Sequence, residues 1–281
     1  MILYSTEVTK YNHDKPEWLD RFDELIINEN GDGTVFDFMK RFSEGHDYVI
    51  RLDDIQEFLD NNTINSYDSF TKENPEIMIK FSFYHDTPYS KQLRNLMKQY
   101  DFPFFYEDYI RSWDTLNGFV AEGVSDVYIV EEMCFDLPKV RDVVGQNIDI
   151  RIIPHIAQSS YLDTPAMLKF FIRPDDIPVY QKYVNVFELK NIQNPNAAVT
   201  LAKIYQDQGW AGQLSEIISD FDLTIDNRDI LPLFAETRMA CGKRCMKGSG
   251  CNMCRTYESV AQKIKDKGLL IDKYHEFTDS N

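Results

Sequence analysis

Ile77-Met-Ile-Lys-Phe-Ser-Phe83, then Leu93, Leu96, Met97 and Tyr100 at helical spacing, then Phe102-Pro-Phe-Phe-Tyr106, is the stretch that decides the fold. An apolar run of strand length, an amphipathic stripe and a second apolar run make one strand–helix–strand unit. Its connections are short, which implies parallel strands with the helix packed outside them. The unit repeats toward the C-terminus. The stripe Trp113, Leu116, Phe119 and Val120 leads to a strand at Val127–Val130. Leu137, Val140, Val143 and Val144 lead to a strand at Ile148–Ile153. A strand at Leu168–Ile172 and a short helix with Ile177 and Tyr180 follow, then a strand at Val184–Leu189 and a helix over 194–208.

The pattern is looser toward the N-terminus. Ile2–Val8 reads as a strand, and Trp18, Phe22, Leu25 and Ile26 recur at helical spacing. Tyr48–Leu52 is a strand backed by Ile55, Phe58 and Leu59, and residues 61–76 read as a polar loop. Asn28–Thr34 imitates the start of a calcium loop, but Met39 stands where the bidentate Glu is required, so it reads as a turn. Eight strands in this alternation predict a (β/α)8 TIM-type barrel over residues 1–208. An open doubly wound sheet would carry a glycine-rich phosphate turn after its first strand, and none is present. Residues 209–281 are expected to form a helical, cysteine-rich C-terminal extension.

A chain of 281 residues, 43% hydrophobic and 14% aromatic, is large enough to bury such a core. No run of eighteen apolar residues is present, so no membrane span is expected. The first residues lack a basic segment followed by an apolar one, and a reducing cytoplasmic setting is the expectation. The net charge of −16 argues against broad nucleic-acid binding, which needs basic surface to release counterions. Oligomeric state is not legible, because apolar residues of a core and of an interface look alike.

Four of the five cysteines, Cys241, Cys245, Cys251 and Cys254, are spaced C-x3-C-x5-C-x2-C among Lys243, Arg244, Lys247 and Arg255. Thiolates clustered this closely are expected to ligate one ion or cluster, with the cations offsetting its negative charge. Structural zinc hairpins usually lie a dozen or more residues apart. The compact run therefore favours a 4Fe-4S iron–sulfur cluster, with zinc as the alternative.

Gly123-Val-Ser-Asp-Val-Tyr-Ile-Val-Glu-Glu-Met-Cys-Phe-Asp-Leu-Pro-Lys-Val-Arg141 resembles a segment of the collagenase-like peptidase family, and the similarity extends over about residues 77–190. The resemblance implies a barrel that is often an iron–sulfur protein, hydroxylating RNA bases or ubiquinone precursors without oxygen. A second, weaker likeness is to queuine-type transglycosylases, which are zinc-containing barrels that exchange bases. Their Asp-Ser-Gly-Gly-Phe motif is absent here.

In a parallel barrel the chemistry collects at the carboxyl ends of the strands. Glu7, Arg51, Asp53, His85, Asp86, Glu107, Asp108, Glu131, Glu132, His155, Gln158, Arg173, Glu188 and Lys190 fall there. Glu107, Glu131 and His155 are the expected proton-handling groups. Arg173, Glu188 and Lys190 are the expected substrate contacts. Arg173 has Asp175 and Asp176 as competing partners, and Glu188 and Lys190 share a strand face on which they can pair. Hydrolase signatures such as Gly-x-Ser-x-Gly and His-Glu-x-x-His are missing. The expectation is an iron–sulfur-dependent barrel enzyme that modifies a small anionic or nucleobase-like substrate by redox chemistry. The alternatives are a zinc-stabilised base-exchange enzyme and a non-catalytic interaction protein.

Overall fold

A computed structural model of the chain describes residues 3–8, 16–29, 33–154, 172–189, 195–212 and 235. Nine strands form one parallel sheet: β1 Leu3–Glu7, β2 Glu24–Asn28, β3 Asp47–Arg51, β4 Ile79–Phe83, β5 Phe104–Tyr106, β6 Tyr109–Ile110, β7 Asp126–Ile129, β8 Asp149–Ile152 and β9 Val186–Leu189. Their order is β5-β4-β3-β2-β1-β9-β8-β7-β6. The two ends of that order are consecutive in the chain, separated by Glu107 and Asp108 alone. The N–H of Ser125, leading into β7, donates to the carbonyl of Phe104 in β5 at 2.7 Å, and Tyr109 and Ile110 pair with Tyr128 and Ile129. β5 and β6 are thus one interrupted wall position, and the sheet closes into an eight-position barrel.

Helices cover the outside. They are α1 Pro16–Leu19, α2 Thr34–Arg41, α3 Ile55–Asp60, α4 Ile64–Glu73, α5 Ser90–Gln99, α6 Trp113–Glu122, α7 Leu137–Val144, α8 Ile177–Tyr180 and α9 Pro195–Gln206. Several begin and end on local chemistry. Asp54 accepts from the Glu57 N–H at 2.9 Å ahead of α3, and Ser112 accepts from the Thr115 N–H at 3.1 Å ahead of α6. Gly123, at φ 77°, ends α6 in the left-handed conformation that a side chain would oppose. The outward strand residues Leu25, Tyr48, Ile50, Phe81, Phe83, Phe104, Val127, Ile129, Ile150 and Phe187 pack with Leu93, Met97, Leu116, Phe119 and Val140 into the main core.

Two expectations are corrected. The helical stripe expected through Ile26 ends early: α1 stops at Leu19 and Glu24–Asn28 is a strand. Leu25-Ile26-Ile27 is a continuous apolar run buried on both faces, which is how a parallel strand reads, and its spacing from Trp18 and Phe22 is coincidental. The polar loop expected over 61–76 contains α4, whose Ile64, Tyr67 and Phe70 are buried at helical spacing. β8 and β9 pair directly through Arg151–Val186 and Ile152–Phe187. The strand expected at 168–172 lies outside the described residues except for Ile172. The last described helix ends at Gln206, and of the extension expected over 209–281 only residues 209–212 and 235 are described. No helix among the described residues is long and apolar enough to cross a membrane.

Candidate active site at the barrel mouth

Side chains alternate along each strand, so every second residue points into the lumen. The inward residues sort by register into layers drawn from alternate wall positions, as expected for this barrel. At the amino ends of the strands lie Glu24, Lys80, Asp126 and Val186. Above them come Ser5, Val49, Phe105 and Arg151, then Ile26, Ser82, Tyr128 and Glu188. Glu7, Arg51, Glu107 and Ile153 close the series at the carboxyl ends. Ile26, Val49, Phe105 and Tyr128 form a small apolar cluster inside the barrel, separate from the outer core.

The floor is an ionic network. Arg151, fully buried, donates from Nη2 to Glu24 at 2.6 Å and from Nε to Asp126 at 2.8 Å. Its guanidinium lies 4.5 Å from the Phe105 ring centroid. Lys80 Nζ lies 3.1 Å from both oxygens of Asp126 and from Asp149, and Ser125 Oγ donates to Asp126 at 2.6 Å. Burial raises the Asp126 pKa, but Arg151 and Lys80 outweigh it and hold the carboxyl below its ordinary value. Burial likewise opposes the charge of Lys80, but Asp126 first, with Glu24 and Asp149, outweighs it and raises its pKa.

The mouth is built differently. Arg51, at the end of β3, lies 3.2 Å from Glu7 through Nη1. It meets Glu107 at 3.3 Å through Nε and 3.4 Å through Nη2. Burial lowers its pKa, but Glu107 and then Glu7 outweigh burial, so the pKa is raised. Glu107 is 6% exposed, whereas the Glu7 side chain is 25% exposed, so the two carboxylates on one guanidinium differ in solvation. The Glu107 N–H donates to Phe83 at 3.0 Å and the His85 N–H to Asp108 at 2.6 Å, which fixes the intervening Tyr84 against the Glu107–Asp108 corner. Tyr109 packs edge-on against Tyr128 at 5.8 Å, and the Tyr128 hydroxyl donates to Glu188. Burial first and Glu107 second raise the pKa of Tyr84, Tyr109 and Tyr128. All three hydroxyls are therefore protonated donors at neutral pH.

Of the residues expected from sequence, Glu107 and Glu188 lie in the lumen, Glu107 at the mouth and Glu188 one layer below it. Glu188 accepts from Tyr128, and Arg151 Nη1 lies 3.6 Å away. Arg173 is buried and held in two contacts with Asp176, from Nε at 2.8 Å and from Nη2 at 2.7 Å. This is the competing pairing anticipated for it. Glu131 begins a 3-10 turn after β7. His155, Lys190, Cys241, Cys245, Cys251 and Cys254 lie outside the described residues. Arg51 and Glu7 stood among the strand-end charges without being chosen. Lys80, Asp126, Tyr128 and Arg151 were missed, although polar residues at every second place of an apolar strand signal a polar lumen.

No protein-family model matches the chain, and no curated protein matches it. Among solved structures it is similar to tryptophan synthase from M. tuberculosis in the open form with BRD0059 bound. That match is 8% identical with a TM-score of 0.46, over 77% of this chain and 91% of that one. It is also similar to the tryptophan synthase complex from Pyrococcus furiosus, 10% identical with a TM-score of 0.46 over 74% and 91%. A mutant tryptophan synthase alpha-subunit from the same organism is 7% identical with a TM-score of 0.47 over 76% and 97%. A likeness at this level assigns no activity. The resemblance to the collagenase-like peptidase family is corrected, since no family model matches the chain. The iron–sulfur or zinc-dependent enzyme is corrected with it. Among the described residues no group of three or more His, Cys, Asp or Glu side chains is arranged to hold a metal ion.

Proposed function

We propose that the protein is an enzyme that performs general acid–base chemistry on a small polar molecule at the carboxyl-end mouth of the barrel. The observation that carries this reading is the Glu7–Arg51–Glu107 array, which brings two carboxylates from different strands onto one guanidinium where such barrels place their chemistry. Glu107, nearly enclosed, is the proton-transferring group, and Arg51 orients its carboxylate. Glu7, more solvated, is the second carboxylate, positioned to exchange protons with water or with the far side of the substrate. Tyr109 and Tyr84 supply neutral hydroxyl donors. Arg173 is committed to Asp176, so it offers no reason to expect an anionic substrate. A reducing cytoplasmic setting, with Cys134 held as a buried free thiol, and the division into a 1–208 barrel and a 209–281 extension belong to the same proposal.

The test is depletion of a component from a mixture of small metabolites by the wild-type protein, repeated with Glu107→Gln. The variant keeps the shape and the Arg51 contact but cannot take a proton. Loss of about 10²-fold or more in turnover is expected. Turnover unchanged in Glu107→Gln would remove Glu107 from the mechanism.

A further inference from the structure

Only Met78, Tyr84 and Tyr109 are large apolar side chains left exposed among the described residues, and the two tyrosines both stand at the mouth. Tyr84 is 53% exposed, and its ring meets no other aromatic ring among the described residues. Its neighbours are charged: Glu107, Asp53, Asp108 and Arg51 act on its hydroxyl, and Arg111 acts on that of Tyr109. Arg51 is matched by Glu7 and Glu107, and Asp108 accepts the His85 N–H, so three carboxylates and one guanidinium act on Tyr84. Below Tyr84, two residues earlier on the same inward side of β4, sits Ser82, fully buried and paired in register with Arg51. Ser82 Oγ meets no hydrogen-bond partner among the described residues, nor does Asn28 Oδ1 on the other flank of Arg51. Buried polar atoms without partners are uncommon and point to a missing one. Asn28 Oδ1 is purely an acceptor and a serine hydroxyl accepts as readily as it donates. What fits is a donor-rich group.

We propose that the mouth takes a substrate bearing an organic ammonium group, seated over the Tyr84 ring with the Ser82 hydroxyl and the mouth carboxylates accepting its protons. An ammonium offers three donors and no acceptor, and it is attracted by the face of an aromatic ring. Surplus carboxylates favour the same sign of charge and disfavour phosphates and carboxylates as substrate groups. The inference rests on the mouth being the active site and adds the substrate's chemical class.

Three probes of one size separate the outcomes: ethanolamine as cation, ethylene glycol as neutral molecule and glycolate as anion. Each is titrated into the full chain at pH 7 while the ring resonances of Tyr84 and Tyr109 are followed by NMR. Ethanolamine is expected to move them saturably, with Tyr84→Ala weakening its Kd about tenfold. Ser82→Ala, which preserves volume closely, is expected to weaken it several-fold. Equal or tighter binding of glycolate or ethylene glycol, or no saturable shift with any probe, overturns the inference. Because the readout is binding, it is separable from the acid–base reading. Ethanolamine binding together with full turnover in Glu107→Gln would sink that reading and leave the ammonium site standing. Lost turnover in that variant on a substrate without a cation would do the reverse.

Discussion

The floor and the mouth of the lumen are built from the same kinds of side chain, and they differ in how closely those side chains approach and how far they are enclosed. At the floor Arg151 and Lys80 meet Glu24, Asp126 and Asp149 at distances of 2.6 to 3.1 Å, and Arg151 and Asp126 are both almost completely enclosed. At the mouth one arginine serves two carboxylates at 3.2 to 3.4 Å, with partial access to solvent. A buried charge without its partner is costly, so an enclosed network of charges holds only while its ion pairs stay intact. Loose pairing near water leaves groups free to exchange protons and partners. The floor therefore acts as a structural clamp across the barrel, and the mouth is where the proposed chemistry is set.

The largest effect that would break this comparison is at Asp126. Asp126→Asn removes the carboxylate shared by Arg151 and Lys80 and is expected to destabilise the fold by about 3–5 kcal/mol in urea unfolding. A loss below about 1 kcal/mol would show that the floor is not a clamp. Glu107→Gln at the mouth is expected to cost less in stability, about 1–2 kcal/mol, because Arg51 keeps Glu7. Its larger consequence is in turnover. If Glu107→Gln destabilised the chain as much as Asp126→Asn, the two ends would not differ in kind.

Acid sensitivity sharpens the same contrast. The Asp126 pKa is depressed in the fold, so its contribution is present above the unfolded value of about 4 and is lost as pH falls through the folded value. Lys80 is raised, so its contribution is full below about 10.4 and is lost as pH rises through its folded value. Asp47, raised by burial and next by Glu24, works the other way, favouring the fold at low pH and losing that contribution as pH rises. The difference in Tm between wild type and Asp126→Asn should therefore shrink as pH is lowered from about 6 to 2. A difference independent of pH would mean that the carboxylate is not charged in the fold. The smallest expected effect is that of Ser82→Ala, within about 0.5 kcal/mol or slightly stabilising, since its hydroxyl is buried without a partner among the described residues. A cost above about 1.5 kcal/mol in unfolding would mean that the hydroxyl is satisfied.

Strand–helix alternation was legible from Ile77 onward because each strand there is a compact apolar run followed by a clean amphipathic stripe. It failed at Glu24–Asn28, where Leu25 and Ile26 fall by chance on the helical register of Trp18 and Phe22. Strand and buried helix cannot be told apart by periodicity in so short a run. In α4 the polar residues between Ile64, Tyr67 and Phe70 hid a real stripe. Glu107 was legible because it follows an apolar strand directly. The floor was harder to read, since barrel interiors are expected to hold branched apolar residues. Yet Ile79-Lys-Phe-Ser-Phe83, Asp126-Val-Tyr-Ile129 and Asp149-Ile-Arg-Ile152 each place a polar side chain at alternate positions. Taken together as one inward face, they spell out the network. Arg173 was ambiguous because a charge after an apolar run looks the same whether it grips a ligand or its own neighbour, and the structure shows it on Asp176.

The most direct test of a structural floor under a working mouth is a matched pair of arginine variants, Arg151→Met and Arg51→Met, unfolded in urea under the same conditions. Arg151→Met is expected to lose about 3–5 kcal/mol, because it strands Glu24 and Asp126 in an enclosed layer. Arg51→Met is expected to lose no more than about 2 kcal/mol, because Glu7 reaches solvent and Glu107 can take a proton. Equal losses, or a larger loss in Arg51→Met, would contradict the account.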